Sequence, residues 1–181
     1  NSDILAGTVI SSEEKIDTIF QLAKNFGGSL IDYTVWLLER SLKTMGIRVR
    51  AQNENALELA KFLGSHPDIA KVYYPGLESH PDHEIAKKQM SGFGGMMSFE
   101  LREGLDADLF QKKLKLIKSS MSLAGVESTI LSPAKTSHGL LSEEEREKQG
   151  IRDGLLRFSV GIDSNEDLLS DLSPAIPEVP P

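Results

Sequence analysis

Apolar positions recur along this chain with two different periods, and the change of period divides it. Residues 4–10 form a short, nearly continuous apolar run of strand length, which predicts a buried strand. Ser11 and Glu14 then stand at capping-box spacing. Ile16, Ile19, Phe20 and Ala23 share one helical face after them, and Gly27-Gly28 stops that helix. From residue 30 to about 63 there is no Pro and a single Gly, Gly46, while Ala56, Leu59, Ala60 and Leu63 keep the i, i+3, i+4, i+7 spacing. One long helix, interrupted near Gly46 and joining two domains, is the expectation.

After Gly64 the pattern shortens. Strands are predicted over residues 69–74, closed by Pro75-Gly76, and over 94–101. Short extended segments follow at about 117–123 and 128–132, and a strand around Arg157. Helices are predicted over 82–90, 106–116, 142–148 (opened by a Ser142/Glu145 capping box) and 165–172. The tail 174–181 carries four prolines and is expected to be non-helical and loose. Ser-His-Pro-Asp occurs twice, at 65–68 and 79–82, each time as a turn before the next element. Short strands mixed with helices predict an α/β or α+β domain beginning near residue 65.

Composition narrows the class of partner. A length of 181 residues, 39% hydrophobic and 26% charged, is ordinary for a globular protein with a real core. The net charge of -7 argues against nucleic acid or an anionic membrane, which ask for a basic face. There is no cysteine, so disulfides and thiolate chemistry are excluded. No apolar run approaches transmembrane length and no signal-peptide pattern opens the chain, so a cytoplasmic location is expected. Asn1-Ser2-Asp3 leads at once into an apolar run, as if the chain began in the middle of something longer.

Few residues offer chemistry on spacing alone. Arg157 sits in an apolar strand flanked by Gly154 and Gly161, and an always-charged guanidinium there must meet an anion or reach water. A bidentate grip on a carboxylate would satisfy it, as would an outward position or an internal acid. His80-Pro81-Asp82-His83-Glu84 gathers metal-ligand residue types, yet it reads as a solvated helix start rather than a metal site. Gly92, Gly94 and Gly95 precede a strand, whereas a phosphate cradle leads into a helix, so a turn is expected. His138 reads as structural. The run Ser122-Leu123-Ala124-Gly125-Val126-Glu127-Ser128 is small enough for backbone N–H groups to approach a ligand, or to be an ordinary loop.

Taken together, the blocks resemble the Cys/Met-metabolism family of pyridoxal-phosphate enzymes. They are Arg40-Ser41-Leu42-Lys43-Thr44, Val72-Tyr73-Tyr74-Pro75-Gly76-Leu77, Ser79-His80-Pro81 running on to Gln89-Met90-Ser91-Gly92, and Gly94-Gly95-Met96-Met97-Ser98-Phe99. Further along come residues 122–128, Pro133-Ala134 with Thr136 and His138, and residues 154–163. The family includes cystathionine γ-synthase, cystathionine γ-lyase, cystathionine β-lyase and methionine γ-lyase. The resemblance implies a mixed α/β chain whose residues 1–64 are the tail of a cofactor-binding large domain with its connecting helix. Residues 65–173 would be a C-terminal α+β domain with a small, mainly antiparallel sheet, and 174–181 a Pro-rich tail.

The resemblance also implies elimination or γ-replacement on a sulfur amino acid or homoserine ester. Pyridoxal 5'-phosphate would be bound mainly by residues upstream of Asn1, the Schiff-base lysine among them, so this chain alone is expected to be inactive. Its partners would be the amino-acid substrate, the N-terminal portion of the same enzyme, and further copies in a homotetramer. By correspondence Arg157 would hold the substrate α-carboxylate, Ser122 would lie beside it, and Thr136 would line the same pocket. Met121 and Leu123 would set specificity: Met121 stands where cystathionine γ-enzymes often have Glu, and Leu123 where some β-lyases have Trp. Ser41 in place of a usual Gly, and Lys135-Thr136-Ser137-His138 in place of Met-Thr-His, depart from the pattern. A standalone binding or assembly domain derived from such an enzyme is the rival reading.

Overall fold

A computed structural model describes residues 4–176, and the chain divides into two compact units, Asn1–Gly46 and Ile47–Pro181. The first is helical: α1 spans Glu13–Phe26 and α2 spans Asp32–Leu42. Helix α1 ends as predicted, with Gly27 at φ 82° and its N–H donated to the Ala23 carbonyl. Its start differs from the expected capping box. Ser12, not Ser11, is the N-cap, no side-chain bond closes it, and the Ser12 carbonyl takes the Ile16 N–H. Neither helix buries a residue, so the stripe containing Ile19 and Phe20 lies open among the described residues.

The strand expected at residues 4–10 does not form. The segment has no regular structure, and Leu5 and Ile10 are each more than nine-tenths exposed. A strand is held by ladder bonds to a neighbour, and the described strands pair only with one another. The long helix is interrupted near Gly46, as expected: the break is the Lys43-Thr44 turn, and α3 runs over Met45–Ser65 with Gly46 inside its first turn. An N–H there has no intrahelical acceptor in any case, so glycine costs little and need not break the helix.

In the second unit α3 carries the predicted stripe, and Ala56, Leu59, Ala60 and Leu63 are all fully buried. Against this core lies a five-stranded sheet of β1 (Ile69–Tyr73), β2 (Met96–Leu101), β3 (Lys118–Ser119), β4 (Thr129–Leu131) and β5 (Leu155–Ser159). The order is β1-β2-β5-β4-β3, antiparallel throughout except for the β3–β4 pair, in line with the small mainly antiparallel sheet expected. Helices α4 (His83–Gln89), α5 (Ala107–Lys113), α6 (Glu143–Lys148) and α7 (Asn165–Leu172) complete the unit. Met97, Phe99, Leu156 and Phe158 point from β2 and β5 into the core, where Phe99 meets Phe110 of α5 edge-on at 5.9 Å.

Local chemistry sets the boundaries. Asp106 caps α5 by accepting the Asp108 and Leu109 N–H groups, which holds its carboxyl below the usual range. The helix expected to reach residue 116 stops at Lys113, because the next amides turn to another acceptor. Asp171 on α7 takes the N–H groups of Lys115, Leu116 and Ile117 at 2.8, 3.0 and 2.9 Å. The Ser142/Glu145 capping box is present in both directions, and it too lowers the Glu145 carboxyl.

The repeated Ser-His-Pro-Asp is one turn used twice: the Nδ1 of His66 and that of His80 each accept the Asp N–H two residues on, at 3.2 Å. His83, expected in solvent, is buried instead. Its ring stacks on Phe93 and its Nδ1 lies 2.8 Å from the Pro75 carbonyl. The tail expected to be loose from 174 begins packed. Ala175 and Ile176 are buried against the end of α7, with both N–H groups on the Leu172 carbonyl, because their apolar side chains extend the core. Residues 177–181 of that expectation lie outside the described residues. No helix among the described residues is long and apolar enough to cross a membrane.

Candidate functional site

Alternation along β5 decides which way Arg157 points. Leu156 and Phe158 are fully buried on the core face, so Arg157 stands on the other face, opposite Ser98 of β2 and Leu131 of β4. There its Nη2 donates to the Met121 and Ser122 carbonyls at 3.1 and 3.0 Å. No carboxylate among the described residues pairs with it, and its buried Nε has no hydrogen-bond partner. Of the readings open on spacing, an internal ion pair is not formed among the described residues. The guanidinium is held by one edge on neutral carbonyls, with donors left over for an anion.

The segment supplying those carbonyls is pinned along its length. The Ser122 N–H donates to Ser120 Oγ at 3.2 Å, and its carbonyl also accepts the Thr129 hydroxyl at 3.0 Å. Ala124, the one non-glycine residue with positive φ (56°) among those described, donates its N–H to Ser159 Oγ at 2.8 Å. Gln52 on α3 donates to the Gly125 carbonyl at 2.8 Å, and Ile162 donates to that of Val126 at 2.9 Å. Asp163 then takes both the Ser128 N–H (2.9 Å) and its hydroxyl (2.7 Å), while Ser128 Oγ accepts the Gly161 N–H at 2.9 Å. Asn55 ties this down by donating to the Gly161 and Asp163 carbonyls.

Met121, Ser122 and Arg157 are therefore brought together. Leu123 follows on the same segment, and the side chains of Met121 and Leu123 are exposed beside the guanidinium's anchor. Thr136 lies just past the 3-10 turn Pro133–Lys135, and its hydroxyl is committed to the Ser132 carbonyl at 2.8 Å. His138 bonds its neighbour Ser137 through Nδ1. Spacing overlooked Ser159 and Gln52. Strand alternation could have placed Ser159 on the Arg157 face; nothing local could have found Gln52, 73 residues from its acceptor.

The glycine run 92–95 makes the expected turn. Gly94, at φ 84°, donates its N–H to Asn53 and accepts the Tyr74 hydroxyl, whose pKa burial pushes up to about 12. A side chain on Gly95 would meet the Val160 carbonyl at 3.0 Å and Gln52 at 3.1 Å, so this close approach serves packing onto α3. It leads into β2, not into a helix N-terminus, and so does not fit a phosphate group.

The fold of this mixed α/β chain is that of pyridoxal-phosphate-dependent enzymes. Cystathionine γ-lyase from Lactobacillus plantarum, solved with L-serine, superposes with a TM-score of 0.85 at 40% identity, over 92% of this chain and 44% of that one. The family described as Cys/Met metabolism PLP-dependent enzymes matches residues 1–177, and the chain belongs to it. It is 45% identical over 177 residues to cystathionine β-lyase of Lactococcus lactis, covering 97% of this chain and 47% of that protein. It is 42% identical over 182 residues to L-methionine γ-lyase of Fusobacterium nucleatum, covering 99% and 46%. The chain thus spans about half the length of the curated relatives it matches.

Proposed function

We propose that this chain is the C-terminal portion of a pyridoxal-phosphate-dependent trans-sulfuration enzyme. The enzyme carries out elimination or γ-replacement on a sulfur amino acid or homoserine ester in the cytoplasm, and the chain binds the substrate α-carboxylate. In this reading residues 1–64 end the cofactor-binding domain and join it to the carboxylate-binding domain at 65–173. Other residues of the enzyme hold the cofactor and supply the Schiff-base lysine, so the chain does not catalyse alone. The open apolar stripe of α1 and α2 is covered by the rest of the enzyme or by further copies in a homo-oligomer.

The observation that carries this reading is the state of Arg157: anchored through Nη2 on two carbonyls, without a carboxylate partner among the described residues. Fixing a guanidinium before the ligand arrives removes part of the ordering cost of orienting an amino acid. Ser122 lies beside the bound carboxylate, Thr136 at the margin of the pocket, and Met121 and Leu123 discriminate among side chains. Arg157→Lys in the complete enzyme tests it. Lysine keeps the charge but loses the planar two-point grip. KM should rise strongly, with a cost on the order of 2–4 kcal/mol in kcat/KM and little change in melting temperature. A large fall in melting temperature with near-normal kinetics would assign Arg157 to structure.

A further inference from the structure

Ser159 and Gln52 both hydrogen-bond the segment that carries the carbonyl anchors of Arg157. We propose that Ser159 and Gln52 are positioning residues for carboxylate recognition: they fix the peptide segment whose Met121 and Ser122 carbonyls hold Arg157. This rests on the reading of Arg157 as the carboxylate clamp.

The geometry makes the coupling short. Between Ser122 and Val126 the chain reverses through Ala124, whose positive φ of 56° costs a non-glycine residue on the order of 1 kcal/mol. The conformation is held from both sides. Ser159 Oγ accepts the Ala124 N–H at 2.8 Å, and the next carbonyl, that of Gly125, accepts from Gln52 at 2.8 Å. Ser159 is 1% exposed and Gln52 7%, so packing fixes both side chains and neither can follow the loop if it moves. They also reach it from different elements, β5 and α3, which sets its position in two directions.

Ser159 stands two residues from Arg157 on the same strand. One strand therefore carries both the guanidinium and the acceptor that places the guanidinium's own anchor. If the Ala124 N–H is released, the Met121 and Ser122 carbonyls are free to shift, and the guanidinium plane shifts with them. A displacement of about 1 Å at a two-point contact is enough to cost up to about a hundredfold in rate. Neither polar group is needed to fill the core, so the effect falls on recognition more than on folding.

The experiment compares Ser159→Ala, Gln52→Met and Arg157→Lys in the complete enzyme. Gln52→Met keeps the length and volume of the buried side chain and removes the donor to the Gly125 carbonyl. The readouts are kcat and KM for an amino-acid substrate and for its α-carboxamide analogue, hydrogen exchange at the amides of residues 121–123, and melting temperature. Both positioning variants should raise KM for the carboxylate substrate and lower kcat/KM by about ten- to a hundredfold. The preference over the carboxamide should shrink, and exchange at 121–123 should quicken. If both variants keep that preference within about twofold of wild type while Arg157→Lys abolishes it, the positioning role is overturned and the clamp stands. If Arg157→Lys itself leaves the preference intact, the clamp reading fails and takes the positioning role with it. A loss of melting temperature with unchanged preference in the two variants would also overturn it, as purely structural.

Discussion

Gly161→Ala is a sharp perturbation of the site because the glycine there is required by close approach, not by its backbone angles. A Cβ at Gly161 would lie 2.6 Å from the Glu127 carbonyl carbon and 2.7 Å from the Ser128 nitrogen, and closer still to the Val126 carbonyl oxygen. All of these are backbone atoms, so no flexible side-chain end can give way, and the 121–128 segment must move outward. Overpacking of this kind costs about 1–3 kcal/mol. The same movement strains three bonds across the seam: Gly161 N–H to Ser128 Oγ, Ser128 N–H to Asp163, and Ile162 N–H to the Val126 carbonyl, each at 2.9 Å.

Each such bond is worth about 1 kcal/mol, and about half of that is lost if the bonds stretch rather than break. Against this, alanine narrows the unfolded ensemble and returns about 0.4–1 kcal/mol. The net expectation is a destabilisation of about 3 kcal/mol, or roughly 10 °C in melting temperature for a chain of this size. Urea and thermal unfolding followed by circular dichroism would measure it, with Gly154→Ala as the comparison. There the nearest atom is the Leu101 carbonyl oxygen at 3.2 Å, and the effect should be much smaller. Equal stability of Gly161→Ala and wild type would refute the argument from close approach.

Asp171→Asn should cost about 1.5–3 kcal/mol, read as a lowered urea midpoint. The new amide group cannot accept, and it would face at least one of the Lys115, Leu116 and Ile117 N–H donors; an unchanged midpoint would count against the three-amide clasp. The capping carboxylates predict a pH response. The Asp106 pKa is lowered by the Asp108 and Leu109 N–H groups, and that of Glu145 by the Ser142 N–H and hydroxyl. A lowered folded pKa means the contribution is present above the unfolded carboxylate pKa and is lost as pH falls through the folded one. The starts of α5 and α6 should therefore fray on acidification, visible in the amide shifts of Asp108 and Ser142. Asp106→Asn should remove the response at Asp108 alone, and an acid response that persists there would show that another group controls it.

Much of the fold was legible where side-chain periodicity and packing agree. The Ala56–Leu63 stripe of α3 is fully buried, and α7 runs over the predicted residues 165–172, because in both an apolar face meets a core. Residues 4–10 show the limit. Their content is that of a strand, but a strand is a pairing, and composition does not supply the neighbour. His83 is similar: its residue type suggests solvent, and only the fold brings Phe93 and the Pro75 carbonyl to it. The break near Gly46 was legible, but its place at the Lys43-Thr44 turn was not, since a first-turn glycine loses no hydrogen bond and does not itself end the helix.

At the site, Arg157 stood out by its charge among apolar neighbours, and its partners came only from a resemblance. Its actual anchors are backbone carbonyls 35 and 36 residues away, which carry no side-chain signature. The same holds for Gln52, whose acceptor is the Gly125 carbonyl. Hydrogen bonds to the main chain across tertiary distance are invisible to any reading of residue types.

The central claim is that Arg157 waits for a carboxylate. The most direct measurement is a crystal structure of the complete enzyme with a bound amino-acid substrate or unreactive analogue. The α-carboxylate is expected within hydrogen-bond distance, about 2.7–2.9 Å, of the Arg157 guanidinium, with Nη2 still on the Met121 and Ser122 carbonyls. A carboxylate bound elsewhere, with Arg157 paired to an acidic side chain of the enzyme, would contradict it.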